Sequence, residues 1–142
     1  MTQEEKQLLI KDLCARLPYG VKVKYYNDKC DGTLNAVNFK FETVWITADN
    51  GSNDSLDFES IGNGVWWLKP YLRPMNSMTE EEYEELMKIE KDYWGFAPKD
   101  FINDWCPNYA SLDWINKNHF DYRGLIDKGL ALEAPEGMYN TK

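Results

Sequence analysis

The sequence holds a single histidine, His119, among 142 residues, so no H-E-x-x-H arrangement exists and a histidine metal site would need ligands from distant segments. Its three cysteines, Cys14, Cys30 and Cys106, are widely spaced with no C-x-x-C, which argues against a closed disulfide set and against a zinc knuckle. Reduced thiols are the expectation. No G-x-S-x-G, P-loop or G-x-G-x-x-G occurs, so nucleophile-elbow and phosphate-cradle chemistries lack their backbone element. No apolar run approaches the roughly 20 residues of a spanning helix. The N-terminus opens with Thr2, Gln3, Glu4, Glu5 and Lys6, not with a basic stretch and an apolar segment. A cytoplasmic location, no membrane partner and no cofactor are therefore expected. Basic residues are also scarce. Sixteen Lys and Arg against twenty-four Asp and Glu leave a net charge of -8, which opposes the counterion release behind general nucleic-acid binding.

Apolar residues are plentiful instead. A 43% hydrophobic and 15% aromatic content with 28% charged residues is a globular profile. A chain of 16.7 kDa buries roughly 70% of its extended surface on folding, enough for a core without staples. We read residues 1–142 as one domain, with a helix and a sheet in 1–74 and a helical part in 75–142 packed on it. The acidic excess is uneven: residues 1–71 carry -2 and residues 72–142 carry -6.

Thr2 and Glu5 form a capping box, and Leu9, Leu13 and Leu17 recur at helical spacing beside Ile10 and Cys14. Pro18 ends this first helix and Gly20 releases the chain into Val21–Tyr25, which alternates with period two. Turn chemistry at 27–32 precedes a second strand over 34–41, with Val37, Phe39 and Phe41 on one face. Thr43–Thr47 and Val65–Leu68 read as further strands, with 49–54 as a break between them and Pro70 after the last. The fold class expected is α+β: an N-terminal helix, a small curled antiparallel sheet whose closed form would be an SH3-like barrel, then three C-terminal helices. Thr79 with Glu82 at N3 caps the first of these, over about 79–94. Met78 and Tyr83 form its staple, and Tyr83, Leu86, Met87, Tyr93 and Trp94 its apolar stripe, with Ile89 at the edge and Gly95 and Pro98 as its stop. Leu112–Asn116 suits a short helix, and Asp121 caps another carrying Tyr122, Leu125 and Ile126 that ends at Gly129.

Few residues offer chemistry. Asp49–Asp54 has a calcium-like composition, but Asp54 falls where an EF-hand needs glycine and Ser60 where it needs a bidentate glutamate, so a turn is the reading. His119 with Asp113 or Asp121, or Cys106 as a nucleophile, would serve a small hydrolase or transferase, against the plainer role of a histidine in a turn between helices. Glu80 to Glu85 would suit a DNA mimic, although capping and dipole complementarity already explain carboxylates there. The aromatic excess points elsewhere. Trp66 and Trp67 are adjacent and on a strand face opposite sides, so one of them beside Tyr71 and Arg73 would make an aromatic and guanidinium anchor for a macromolecule. Arg123, next to Tyr122 and Asp121, either locks the last helix or meets a ligand. The binding set expected is thus Trp66, Trp67, Tyr71, Arg73 and Arg123, with a protein as partner and no catalytic residue.

Two segments, KPYLRPMNSMT at 69–79 and FDYRGLIDKGLALEAPEGMY at 120–139, resemble a group of uncharacterised small proteins of prophages and other mobile elements of gut bacteria. The resemblance covers about a fifth of the chain. It implies a cytosolic, mobile-element origin and attaches no catalytic activity.

Overall fold

The computed structural model describes residues 1–94 and 109–139. Helix α1 spans Gln3–Arg16. Thr2 Oγ1 accepts the Glu5 N–H at 3.0 Å while Glu5 Oε1 accepts the Thr2 N–H at 2.9 Å, so two of the helix's orphan donors are satisfied reciprocally. A 3-10 turn over Leu17–Tyr19 and a left-handed Gly20 then redirect the chain. The strands β1 (Lys22–Tyr25), β2 (Cys30–Asn38), β3 (Thr43–Ala48) and β4 (Asn53–Asp57) follow as an antiparallel meander. Helix α2 (Phe58–Asn63) leads into β5 (Leu68–Leu72), which returns to pair antiparallel with β1. After α3 (Glu80–Trp94) and α4 (Tyr109–Lys117), the short β6 (Leu132–Glu133) adds parallel to β5.

The sheet order β4-β3-β2-β1-β5-β6 is open, with β4 and β6 as its two ends, so among the described residues it is not a closed barrel. It is nevertheless curled. Tyr25 on β1 reaches Asp54 on β4 with its hydroxyl at 2.7 Å, although β2 and β3 lie between those strands in the ladder order. Alternation along the strands sets the inner face: Val23 and Tyr25, Leu34, Val44 and Ile46, Leu68 and Leu72 are buried against Leu9 and Leu13 of α1 and against Phe58 and Ile61 of α2. Each such aliphatic side chain contributes about 1.5–3 kcal/mol when fully buried. A second, smaller cluster joins Leu86 of α3 to Trp114 and Ile115 of α4 and to Phe120, with Trp114 and Phe120 stacked at 5.7 Å.

Several expectations need correction. Strand β2 begins at Cys30 and ends at Asn38, so Phe39 and Phe41 lie, largely exposed, in the turn that follows, while Val37 packs on the core. The break expected at 49–54 runs into an unexpected strand, β4 at Asn53–Asp57, whose sequence NDSLD is too polar to announce an edge strand but suits one, because charges on an edge oppose pairing with another chain. Pro70 falls inside β5. It is in phase with Leu72, whose carbonyl faces Ala134, while Tyr71 and Arg73 bond on the opposite side, so its missing N–H costs the β1 ladder nothing. Among the described residues the helix expected after Asp121 does not form. Asp121 does cap, accepting the Leu125 and Ile126 N–H groups at 2.8 and 2.9 Å, but Gly124 at φ 74° turns the backbone left-handed and the segment stays a series of turns. In α3, Thr79 and Glu82 make the expected capping box and Leu86 is buried, whereas Tyr83 is exposed. The Tyr93 and Trp94 side chains, and Gly95 and Pro98, lie outside the described residues. Among those described, no helix is long and apolar enough to cross a membrane.

Candidate interaction surface

The outer face of the sheet is built by the residues that alternate with the core. On β1 these are Lys22 and Lys24; opposite them on β2 stand Thr33 and Asp31, and on β5 Lys69 faces Lys24. Continuing that phase along β5 places Tyr71 and Arg73 outward as well, with Trp67 just ahead of the strand. Tyr71 lies across the width of β1: its hydroxyl bonds Asp31 Oδ1 on β2 at 2.8 Å, two strands from its own Cα. Burial, followed by the Asp31 carboxylate, raises the Tyr71 phenol above its ordinary range. Lys24 Nζ stands 3.3 Å from both Asp28 and Asp31, and hydrogen bonding to Tyr71 and to those carboxylates holds its ammonium well above the usual lysine range.

Two other lysines have no carboxylate partner among the described residues. Lys69 holds its ammonium 5.0 Å from the centre of the Trp67 ring, and Lys22 bonds Thr33 Oγ1 at 2.9 Å. A cation over indole contributes about 0.5–1 kcal/mol at an exposed position.

Asn27 positions both tryptophans. Residues 26–28 all have left-handed φ (54°, 53° and 78°), a conformation that asparagine and aspartate tolerate better than most side chains. From that turn the Asn27 amide donates to the Val65 carbonyl at 2.9 Å and accepts the Trp67 N–H at 2.9 Å. Trp66 is thereby turned to the other side, edge-on to Tyr26 at 5.2 Å, and remains 41% exposed. Trp66 thus meets Tyr26 and Trp67 meets Lys69, both rings standing in the bend before β5 and not within the strand where they were expected.

The expected anchor is only partly assembled. Trp67 and Tyr71 share the outer face, with Tyr71 reduced to 7% exposure. Arg73 is not free to serve: its guanidinium pairs with both Glu82 carboxylate oxygens at 2.6 and 2.7 Å and lies 4.1 Å over the Phe120 ring. Glu82, in the middle of the Glu80–Glu85 series, is therefore turned inward and belongs to the fold. Arg123 takes the locking role of the two foreseen for it, bonding Asp12 Oδ1 at 2.8 Å. Lys22, Lys24 and Lys69 supply the cations in place of Arg73. For Lys22 and Lys24 the sequence signal is the polar phase of the alternating segment Val21–Tyr25; Lys69, in β5, has no comparable local signal.

His119 is 3% exposed and has φ 60°. Its ring stacks on Tyr139 with centroids 4.0 Å apart. Burial first, and then the positive charges of Arg16 and Arg73, push its pKa down to about 4, against a hydrogen bond with the Tyr19 backbone that raises it. The charged groups acting on it are guanidiniums, not a carboxylate, so no acid–base pair forms with Asp113 or Asp121. Cys106 lies outside the described residues. Cys14 and Cys30 are free, and burial raises the Cys14 thiol, the wrong direction for a nucleophile. No group of three His, Cys, Asp or Glu side chains among the described residues is arranged to hold a metal.

The chain matches no family model, no curated protein and no solved structure.

Proposed function

We propose that the protein is a non-enzymatic interaction module of a mobile genetic element, and that it binds a protein partner through the outer face of β1 and β5. The observation that carries this reading is the Lys69 ammonium over the Trp67 ring, with Lys22 farther along the same face and without a carboxylate partner among the described residues. Helices α1 and α2 sit on the opposite, core face of the sheet. Tryptophan is enriched at interface centres whereas lysine is depleted there, so Trp67 would be the anchor and the lysines the charged rim that selects an acidic partner. The partner expected is a protein that presents carboxylates around an apolar contact.

The test is affinity capture with wild type, Trp67→Ala and Lys69→Glu side by side, with circular dichroism confirming the fold of each. Both variants lose the wild-type partner if the reading holds. Unchanged capture by both removes this face from consideration.

A further inference from the structure

The turn joining β2 to β3 shows apolar surface where a turn ordinarily shows polar groups. Phe39 and Phe41 are 65% and 67% exposed. The turn is pinned in place: the Phe41 N–H donates to Asn38 Oδ1 at 3.1 Å, the Glu42 carbonyl accepts the Phe58 N–H at 2.7 Å, and the Phe39 ring meets Phe58 edge-on at 5.8 Å. Rings held outward by a fixed backbone lose little freedom on docking, so their burial is available to an interface.

The charge around them is acidic. The Glu42–Phe58 hydrogen bond brings Glu42 beside Asp57 and Glu59, the chain neighbours of Phe58, and Thr43 pairs with Asp57 across the ladder. Against these three carboxylates stands Lys40, 5.6 Å from the Phe41 ring. An apolar tip with this rim fits an aromatic surface edged by cations and is repelled by an anionic membrane. Such a surface exists on the same chain, on the outer face of β1 and β5, where Lys24 is answered by Asp28 and Asp31 and the cations left beside Trp67 and Tyr71 are Lys69 and Lys22.

We infer that the Phe39–Phe41 turn of one copy docks on the Trp67–Lys69–Lys22 face of a second copy. This rests on the reading of that face as a binding surface and names its partner. The two surfaces differ and each copy carries one of each, so the contact is heterologous and repeats head to tail. The net charge of -8 per copy opposes association at low ionic strength. At physiological ionic strength the Debye length of about 8 Å screens that long-range repulsion, while ion pairs at contact distance persist.

Sedimentation equilibrium of the purified chain from micromolar to millimolar concentration, at physiological ionic strength, tests the inference. The wild-type average mass rises with concentration, and Phe41→Ser, Lys69→Glu and Lys22→Glu each remain monomeric with unchanged thermal midpoints. A mixture of Phe41→Ser, which keeps the face, with Lys69→Glu, which keeps the turn, forms a dimer and stops there. A wild type that stays monomeric throughout overturns the inference, as does self-association that survives either the turn or the face variants. If the wild type is monomeric and Trp67→Ala still abolishes capture of another protein, the second copy is excluded and the face reading stands; if capture is also unaffected, both fall.

Discussion

Tyr139 closes the fork where β1 and β5 part, and His119 backs its ring. The Tyr139 hydroxyl accepts the Lys22 N–H at 2.8 Å and donates to the Tyr71 carbonyl at 2.8 Å, bridging two backbone groups that the ladder leaves unpaired after Val23 and Pro70. Beyond the bridge the role of β1 passes to residues 119–121: Arg73 N–H donates to the His119 carbonyl, and the Asp121 N–H donates to the Arg73 carbonyl, both at 2.8 Å. The outer face thus depends on a residue near the end of the described chain. Tyr139→Phe keeps the stacking on His119 but strands both backbone groups, at a cost of about 1–3 kcal/mol. Urea unfolding should show that loss, with faster amide exchange at Lys22; unchanged exchange there would remove the bridging role.

The buried histidine gives stability a pH dependence with a definite sign. His119 is held neutral in the fold with a pKa of about 4, against 6.5 ordinarily, so the unfolded chain binds the extra proton between those values. Its contribution is complete above pH 6.5 and is lost as pH falls from 6.5 toward 4. At about 1.36 kcal/mol per unit the loss is on the order of 3 kcal/mol. His119→Gln should flatten the stability curve in that window. A parallel slope in the variant would assign the effect to other groups.

Asp12 joins α1 to the turns that follow α4. Its carboxylate is fully buried between Arg16 Nε at 2.9 Å and Arg123 Nη1 at 2.8 Å, and Arg16 Nη2 also donates to the Phe120 carbonyl at 2.6 Å. Arg16→Met leaves that carboxylate half-compensated and should cost about 3–5 kcal/mol, the range for breaking a buried pair. Asp12→Leu combined with Arg16→Met should cost less than the two single changes added, since neither charge then remains buried opposite a missing partner. Strict additivity in thermal melts would show that the two side chains act independently.

These relationships mark where the sequence could be read and where it could not. Local signals were legible: Thr2 with Glu5 and Thr79 with Glu82 specify helix starts within four residues, and Val21–Tyr25 specifies a strand by alternation alone. Pairings between distant segments were not. The amphipathic pattern around Leu125 suggested a helix, and the left-handed Gly124 that prevents it acts through backbone geometry. The inward turn of Arg73 depends on Glu82, nine residues away, and the burial of Arg16 on Asp12, Arg123 and Phe120 together. The candidate surface is legible by half: the adjacent tryptophans stand out in the sequence as a rare pair, while Lys22, Lys24 and Lys69 come to one face only through the β1–β5 register.

Gly32 sets how tightly that register is held. It sits between Val23 on β1 and Ala48 on β3, and a Cβ there would meet the Thr47 carbonyl oxygen at 2.6 Å and Ile46 Cγ2 at 2.7 Å. The oxygen belongs to a backbone locked in the ladder and cannot yield cheaply. Gly32→Ala should therefore destabilise by about 1–3 kcal/mol or more, as overpacking does. By contrast, Gly62→Ala would meet only the flexible Lys6 side chain, at 2.7 Å, and should be milder. Equal melting temperatures for the two variants would contradict this account of the β1–β2–β3 packing.

Arg73 and Glu82 fasten α3 to the end of β5. Burial alone would raise the Glu82 carboxyl, but the paired bonds from Arg73 and the Thr79 N–H outweigh it and leave the group below its ordinary 4.5. A carboxyl depressed in the folded state stabilises above its unfolded pKa, and the contribution is lost as pH falls through the lower folded value. This loss begins near the ordinary 4.5, at the acid end of the His119 window, so the two overlap there and only the His119→Gln and Glu82→Gln variants compared side by side separate them. Glu82→Gln should remove the lower step and cost about 1.5–3 kcal/mol at neutral pH, the range for hydrogen bonds to charged groups. Arg73→Lys should recover little of the pair, because a single ammonium cannot bond both oxygens in parallel or cover the Phe120 ring as the flat guanidinium does at 4.1 Å. A lysine variant as stable as wild type would mean that charge alone, without the fork geometry, holds α3 in place.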